Sequence, residues 1–331
     1  MSNALNWGIM GTGNIARKFA SDLQQTPGQR VVAVGSRTLE AAKKFGESFK
    51  LPNCHGSYQE LIDDPTVQAI YISLPNHMHK EWSIRCAEGK KHILCEKPLA
   101  VNACEVDEII EAVKAHGVFM MEAFMYRCHP QTFKLRELLS SGAIGEVRMI
   151  HADFSYNMGL QYSNIRLSNP AAGGGIMDVG CYPVSMARLA AGCEPCEVKA
   201  SARIGPVSHV DEVAGGLLRF PTGAVAAITC ATQVNVDKGV TIFGSEGDIH
   251  LAWPWKPPSK DAKIILHRKG ATEEILVQSA APLYGLEALH VAEHLDKHEA
   301  PAMSWADSVG NARVLDQLRE SIGLRFDCER Q

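Results

Sequence analysis

The first 121 residues alternate short apolar runs with longer amphipathic segments, and this alternation limits the possible folds more than any other feature of the chain. The intervening segments carry apolar residues at helical spacing and predict helices over residues 14–25, 39–49, 79–88 and 104–115. Near-continuous apolar runs predict strands over residues 7–10, 31–35, 67–74, 91–94 and 118–121. Because such strands are buried on both faces, the pattern predicts an α/β fold with a doubly wound parallel sheet.

The pattern changes after residue 121. A helix over 131–140, a strand over 147–156, a polar loop over 157–175 and a helix over about 179–190 are expected first. Further strands, separated by turn signals such as Pro221-Thr-Gly223, are expected over residues 197–204, 212–220, 224–233, 240–243, 248–251, 263–267 and 273–277. With closing helices near 285–298 and 304–322, this predicts an α+β domain with a large, mostly antiparallel open sheet. We therefore expect two domains, residues 1–121 and 122–331.

Composition excludes several classes of partner. The 331 residues include 33 Lys and Arg against 37 Asp and Glu, a formal net charge of −4 without runs of like charge, which argues against nucleic-acid or polybasic membrane surfaces. No apolar stretch reaches the ~18 residues of a membrane span. Ten cysteines are too sparse for a disulfide scaffold, and no signal peptide is evident. We expect a cytoplasmic protein with small-molecule partners.

A glycine-rich turn follows the first predicted strand. Gly11-Thr-Gly-Asn-Ile-Ala16 has the G-x-G-x-x-A form of the dinucleotide fingerprint, in which Gly11 permits the turn and Gly13 lets the backbone approach a pyrophosphate. A simple glycine turn is the alternative, but the strand before and the helix after favour a cofactor site. The predicted cofactor contacts in this turn are Gly11, Thr12, Gly13, Asn14 and Ile15.

The end of the second strand bears on cofactor choice. An NAD site favours an acidic residue there, whereas this chain offers Ser36 and Arg37, a hydroxyl and a guanidinium suited to a 2′-phosphate. We therefore expect NADP. NAD stays open as an additional cofactor, with Arg37 then a solvated charge.

Two further motifs carry reactive side chains. Glu96-Lys-Pro98 ends the strand over 91–94 and places Lys97 for proton transfer or carbonyl polarisation, although composition alone favours a surface lysine. Whether Pro98 follows a cis bond is not encoded in the sequence. Asp178 and Tyr182 lie four residues apart at the start of a helix, where a nearby cation would lower the tyrosine pKa. A capping function for Asp178 and simple packing of Tyr182 are the alternatives.

Four motifs follow one another along the chain: Gly11-x-Gly-x-x-Ala16, Leu74-Pro-Asn-His-x-His79, Glu96-Lys-Pro98 and Gly173-Gly-Gly-x-x-Asp178-x-Gly-x-Tyr182. Together they resemble the Gfo/Idh/MocA oxidoreductase family, and within it the branch of dimeric dihydrodiol dehydrogenases and NADP-dependent D-xylose dehydrogenases. The resemblance covers nearly the whole chain. It implies an N-terminal Rossmann domain and a homodimer formed through the C-terminal sheet.

The resemblance also implies functions for individual residues. Tyr182 and Lys97 would form the proton-transfer pair, with Asp178 binding a substrate hydroxyl. Tyr182 stands where inositol dehydrogenases carry His, which argues against a myo-inositol substrate. Tyr182 would also contact the substrate, and Lys97 the cofactor. The remaining implied contacts are Leu74, Asn76, His79 and Glu96 to the cofactor, and Arg127 and Tyr156 to the substrate at the mouth between the domains.

The expected activity is NADP-dependent hydride transfer between nicotinamide C4 and a carbinol or carbonyl carbon, or more broadly a dehydrogenase or reductase acting on CH–OH or CH–CH groups. The substrate would be a sugar, a polyol or a vicinal trans-diol. Two alternatives stay open: a keto-sugar reductase of the anhydrofructose type, and a cofactor-binding sensor without turnover. The presence of Lys97 and Tyr182 favours an enzyme.

Several other patterns are expected to be incidental. His290-Val-Ala-Glu-His294 has the H-x-x-E-H form of a zinc-peptidase motif, but no third ligand is evident and no metal is expected. Cys193-Glu-Pro-Cys196 is a single C-x-x-C pair. Trp253 and Trp255 are interpreted as loop packing rather than substrate contacts.

Overall fold

The computed structural model describes residues 4–236 and 238–330. The strands are β1 Leu5–Met10, β2 Gln29–Gly35, β3 Asn53–His55, β4 Ala69–Ile72, β5 His92–Glu96, β6 Met120–Ala123, β7 Val147–Ser155, β8 Glu197–Ile204, β9 Asp211–Arg219, β10 Val225–Ala231, β11 Val240–Gly244, β12 Gly247–Leu251, β13 Ala262–Arg268 and β14 Ala271–Val277. The helices are α1 Asn14–Leu23, α2 Leu39–Phe49, α3 Tyr58–Asp63, α4 His79–Glu88, α5 Ala103–His116, α6 Pro130–Ser140, α7 Cys181–Ala191, α8 Leu283–His294 and α9 Trp305–Ser321.

Internal contacts divide the chain into two compact units. The first contains the residues up to Ala100, Cys104–Cys128 and Ala280–Ser308. The second contains Val101–Ala103, His129–Ser279 and the chain from Val309. The functional division expected at residues 121 and 122 stays a prediction. Among the described residues, no helix is long and apolar enough to span a membrane.

The first unit is built on a six-stranded parallel sheet in the order β3-β2-β1-β4-β5-β6. The strand order reverses at β1, which is the arrangement of a doubly wound dinucleotide-binding sheet, and the predicted fold class is confirmed. Two elements are additional to the prediction, β3 and α3. Since β3 is only Asn-Cys-His, it lacks the β-branched run by which a strand is recognised.

Aromatic packing holds α1 against the sheet of the first unit. The Phe19 ring stacks on Tyr71 with 3.9 Å between centroids, and Trp7 meets Phe19 edge-on at 5.5 Å. All three side chains are fully buried. Because α1 begins at the predicted glycine turn, this packing fixes the position of that turn.

Helix α8 joins the first unit although it lies about 150 residues beyond the preceding segment of that unit. Its N-terminus is tied to α1 by Asp22, whose carboxylate accepts a hydrogen bond from the Tyr284 main-chain N–H at 3.2 Å. Lys18 pairs with the other oxygen of Asp22 at 2.7 Å. Within this helix, Glu287 is fully buried.

The second unit is built on an eight-stranded sheet in the order β14-β13-β12-β11-β7-β10-β9-β8. Neighbouring strands are antiparallel except β7 and β10, which are parallel. This confirms the expected large, mostly antiparallel sheet. Burial alternates along β8 and β10, as expected for a sheet with one covered and one open face.

Candidate active site

The glycine turn of the first unit lies between β1 and α1 and fits an anionic ligand. Gly11 has a φ of +103°, and a Cβ there would lie 3.1 Å from the Ser73 carbonyl oxygen, so glycine is required. Gly13 precedes the first turn of α1, and no described atom lies within 4 Å of a Cβ built on it. No side chain in the described part of the chain caps this helix, and its first turn holds no acidic residue. The helix N-terminus therefore presents uncapped N–H groups, as in a pyrophosphate site.

The predicted cofactor residues after β2 lie at the same edge of the sheet. Ser36 is buried, and its main-chain N–H donates to His55 O at 3.2 Å, while Arg37 is exposed. Since β2 neighbours β1 in a parallel sheet, the ends of the two strands lie side by side. The other turn residues, Thr12, Asn14 and Ile15, are at least partly exposed.

The loops after β4 and β5 are joined by His79, which is fully buried at the start of α4. One ring nitrogen lies 2.9 Å from Leu74 O and the other 2.9 Å from Pro98 O. Burial lowers the pKa of this imidazole. Both ring nitrogens contact main-chain carbonyls, so His79 supports the two loops in this structure, and its expected contact with the cofactor stays a prediction. Asn76, at the start of a short 3-10 helix in the first of these loops, is partly exposed.

Lys97 lies in a loop that is fixed on both sides. Before it, Glu96 accepts a short hydrogen bond from the Tyr71 hydroxyl. After it, the bond to Pro98 is cis, and the Leu99 N–H donates to Glu122 Oε1 at 2.9 Å. Glu122 and Tyr71 come from β6 and β4. The first unit thus brings Lys97, Glu96, Leu74 and the glycine turn to the carboxyl ends of its parallel strands, the usual ligand-binding edge.

Sequence reasoning did not identify Tyr71 or Glu122 as supporting residues. Tyr71 lies in the strand expected over 67–74, where an aromatic residue is ordinary, and Glu122 directly follows the strand expected over 118–121. A buried Glu at the end of a strand is the one signal that was available, since a fully buried carboxylate requires hydrogen-bond donors. Glu122 is 2% exposed.

In the second unit, the glycine-rich segment 173–175 is held by a residue that sequence reasoning missed. Asp211, at the start of β9, is fully buried and accepts a hydrogen bond from the Ile176 N–H at 2.6 Å. Burial raises its carboxyl pKa to about 7. A Cβ at Gly174, where φ is +105°, would collide with this carboxylate, so the glycine permits the close approach.

Asp178 lies in a π-helical turn, Ile176–Gly180, that leads into α7. Its carboxylate accepts a short hydrogen bond from the Tyr156 hydroxyl, and Arg166 Nε lies 3.2 Å from both of its oxygens. The carboxylate contacts these side chains, and no described side chain caps the turn or α7, so the alternative capping function is not observed. Burial and the negative charge of Asp178 raise the pKa of Tyr156. Two predicted residues, Asp178 and Tyr156, are therefore in contact, and Arg166 joins them.

Tyr182 lies in α7 and is buried in a cluster of aromatic rings. Its centroid is 5.1 Å from that of Phe154 and 5.8 Å from that of Trp255, and Phe154 and Trp255 stack at 5.7 Å. Trp255 Nε1 donates to Asp153 O at 2.8 Å, which anchors the 253–258 loop. Trp253 is 62% exposed. The two tryptophans, interpreted alike from sequence, therefore differ: only Trp255 contacts a predicted catalytic residue.

Arg127 lies in the first unit, in a short 3-10 helix after β6. It is buried, pairs with Asp307 at 2.7 Å, and donates through Nε to Ala302 O at 2.9 Å. These contacts tie it to the first turn of α9 and to the segment just before that helix. A substrate contact for Arg127 stays a prediction.

Comparison with known proteins agrees with this reading of the fold. Residues 5–124 match the family model described as "Oxidoreductase family, NAD-binding Rossmann fold", and residues 133–250 match the Gfo/Idh/MocA C-terminal domain. A trans-1,2-dihydrobenzene-1,2-diol dehydrogenase of Mus musculus is 34% identical over 341 residues, covering 99% of this chain and 100% of that protein.

Solved structures give the same result. KijD10, a 3-ketoreductase from Actinomadura kijaniata crystallised with NADP and TDP-benzene, superposes with a TM-score of 0.88 at 27% identity, covering 97% of this chain and 98% of that one. An aldose-aldose oxidoreductase from Caulobacter crescentus, at 24% identity and a TM-score of 0.88 over 96% of this chain and 97% of its own, shows the shared fold. With a dinucleotide-binding first domain matched and relatives aligned along nearly its entire length, the chain is an NAD(P)-binding oxidoreductase that belongs to the Gfo/Idh/MocA family.

Proposed function

We propose that this protein is an NADP-dependent oxidoreductase that transfers a hydride between nicotinamide C4 and a carbinol or carbonyl carbon of a sugar, a polyol or a vicinal trans-diol. The observation that carries the proposal is the grouping of Lys97 with the uncapped glycine turn at one edge of the parallel sheet. A cofactor bound there supplies the hydride chemistry. The chain's own residues hold the substrate and move the hydroxyl proton.

We assign proton transfer to Tyr182 and Lys97. In the oxidative direction, the substrate hydroxyl gives its proton to the Tyr182 oxygen as the carbon gives up its hydride, and reduction reverses both transfers. Lys97 would orient the substrate oxygen and favour the ionised tyrosine. Asp178, held by Tyr156 and Arg166, would accept a hydrogen bond from a second substrate hydroxyl.

The relatives support substrates with adjacent oxygens. The mouse relative is named for a trans-dihydrodiol, and the bacterial relative KijD10 is a ketoreductase crystallised with a TDP derivative. The likeness to KijD10 supports the second candidate, reduction of a keto-sugar by the same residues. Both activities share the hydride transfer and the proton transfer, and they differ in physiological direction.

The experiment is a paired spectrophotometric screen at 340 nm. NADP⁺ reduction is measured with aldoses, inositols and trans-dihydrodiols, and NADPH oxidation with keto-sugars. We expect turnover with at least one aldose, diol or keto-sugar and none with myo-inositol. Tight NADPH binding without turnover on any substrate would contradict the proposal and favour a cofactor sensor.

Replacing Arg37 by Ala should lower NADP selectivity. A guanidinium bound to the 2′-phosphate contributes a charge-assisted pair, and its loss from an exposed position should raise the KM for NADP⁺ by about tenfold. The KM for NAD⁺ should stay unchanged. Arg30→Ala is the matched control, since Arg30 is exposed near the start of β2, whereas Arg37 follows the end of that strand. Equal KM changes for both cofactors in Arg37→Ala would exclude the assignment.

Replacing Gly13 by Val should block the cofactor without disrupting the fold. The backbone at Gly13 has a φ of −71°, which any residue adopts, and a new Cβ meets no described atom. We expect the free energy of unfolding to fall by only about 1 kcal/mol, the usual cost of a poor N-cap residue. The dissociation constant for NADPH, measured by fluorescence titration, should rise by well over tenfold. Unchanged NADPH affinity would show that the pyrophosphate lies elsewhere.

A homodimer formed through the C-terminal sheet is also part of the proposal. Two large apolar side chains, Met149 and Leu217, are 43% and 55% exposed. They pair with Val225 and Ala227, two residues apart on β10, so they share one face of the sheet. Covering such a face is a common basis for association.

A further inference from the structure

Three metal-ligating side chains lie together on the last two turns of α8, and none of them is among the predicted site residues. His290, Glu293 and His294 each offer one ligand atom, and the three atoms lie within 4.8 Å of one another. Over residues 4–236 and 238–330, this is the one group of three or more His, Cys, Asp or Glu side chains with that proximity. Spacings of three and four residues place the side chains on one face of the helix.

The ring of His294 is oriented by a contact that favours metal binding. Its Nδ1 lies 2.8 Å from the His290 carbonyl oxygen, and since a carbonyl only accepts, Nδ1 carries the hydrogen. The lone pair is then on Nε2. Metal-bound histidines commonly have this arrangement, in which a main-chain carbonyl holds the other ring nitrogen and fixes the tautomer.

The two imidazole rings stack on each other. They lie nearly parallel, with 17° between their planes and 5.6 Å between centroids. Imidazole nitrogens are the commonest side-chain ligands of such metals. Glu293 is exposed and supplies a carboxylate, so the ligand set carries one negative charge toward a dication.

We propose that His290, Glu293 and His294 form a binding site for a divalent transition-metal ion, with Zn²⁺ as its representative. Two imidazoles and one carboxylate suit zinc, copper and nickel, whereas magnesium and calcium favour oxygen ligands. Water completes the coordination. From sequence we expected no metal here, because a third ligand to the two histidines was not evident. In the structure, Glu293 lies close enough to both histidines to be the third ligand. The proposed site binds a metal and is not a hydrolytic centre.

Binding should stabilise the first unit. All three ligands come from one helix, so the site exists only when α8 is helical, and an ion that binds the folded form raises its stability by mass action. Since α8 is tied to α1 through Asp22 and Tyr284, the effect should extend to global unfolding rather than to the helix end alone.

The test is calorimetric titration with ZnCl₂ in a chelator-free buffer, using a Cys193→Ser/Cys196→Ser background. That background removes a competing thiol pair, of which Cys196 is exposed and Cys193 partly so. We expect one Zn²⁺ per chain and a rise in Tm. Removing a residue that only supports a metal ligand typically lowers metal affinity by about 10–100-fold. Because His294 is itself a proposed ligand, His294→Ala should lower the zinc affinity at least tenfold. The double variant His290→Ala/His294→Ala should abolish binding.

His298→Asn is the matched control. It removes the next histidine along the chain, which is exposed and outside the cluster, and Asn tolerates its left-handed backbone at φ +65°. Zinc affinity should be unchanged in this variant. The proposal is overturned if the parent protein gives neither heat nor a Tm shift, or if the double variant, shown to be folded by circular dichroism, binds Zn²⁺ as the parent does. Neither outcome depends on catalytic turnover.

Discussion

Lys97→Met should lower kcat by about 10²–10⁴-fold, the usual contribution of a positioned acid–base group, while NADPH still binds. The loop is held by Glu96 with Tyr71 and by Leu99 with Glu122, and neither contact uses the lysine side chain. The methionine variant should therefore keep its fold. What it loses is the ammonium that would orient the substrate oxygen and favour an ionised Tyr182.

The measurement is steady-state turnover on the best substrate of the screen, together with NADPH titration. Lys43→Met, an exposed lysine on α2 of the same unit, is the control and should behave as the parent protein. If Lys97 takes part in proton transfer, the pH dependence of kcat should change as well as its value. If the lysine only positions the substrate, kcat should fall without that change. Parent-like turnover in Lys97→Met would refute the assignment.

Glu287→Gln should raise the free energy of unfolding by about 1–3 kcal/mol near pH 7.5 and by much less near pH 4.5. Glu287 is fully buried, and neither of its carboxyl oxygens has a hydrogen-bond partner among residues 4–236 and 238–330. Burial, with Glu96 and Asp22 nearby, raises its pKa well above the ordinary value of 4.5. Burial raises the pKa of Tyr71, Tyr284 and Cys128, and the nearby carboxyl of Glu287 adds to the rise in each.

The sign follows from the raised pKa. Above about pH 4.5 the unfolded chain releases this proton, whereas the folded chain keeps it until the higher pKa is reached. Folding then requires proton uptake, so the stability of the parent protein falls as the pH rises through that interval. Glutamine has no proton to take up, and the difference between the two proteins should grow with pH.

Chemical denaturation at the two pH values measures the difference. Glu111→Gln is the control, because Glu111 is exposed on α5 and its neutralisation should change stability little at either pH. An equal difference at pH 4.5 and pH 7.5, or a variant less stable than the parent at pH 7.5, would contradict this account.

Much of the architecture could be predicted from local patterns. The helices over 39–49 and 79–88 match α2 and α4, and the strand over 197–204 matches β8, because their apolar spacing is regular and their ends are clear. The glycine turn was identified from its place between a strand and a helix. Local patterns do not show which distant residue forms a hydrogen bond with a buried polar group.

The unpredicted parts of the site are of that kind. Glu122 reaches Leu99 across 23 residues, and Asp211 reaches Ile176 across 35. Helix α8 enters the first unit from the far end of the sequence. Such pairings depend on the three-dimensional arrangement of strands, so no periodicity within one segment reveals them. The π turn before α7 is another case, since a one-residue change of helical register leaves no compositional mark.

The support of the Lys97 loop by β4, β6 and α4 has a consequence for engineering. The tripeptide Glu96-Lys-Pro98 contains the lysine that we propose for proton transfer, but the position of this loop depends on Tyr71, His79 and Glu122, which lie elsewhere in the chain. Grafting the tripeptide onto another parallel sheet would therefore transfer the lysine without the contacts that position its loop. A transplant that aims to keep the activity has to carry these three distant residues as well, and the unit of transfer is the sheet edge rather than the motif.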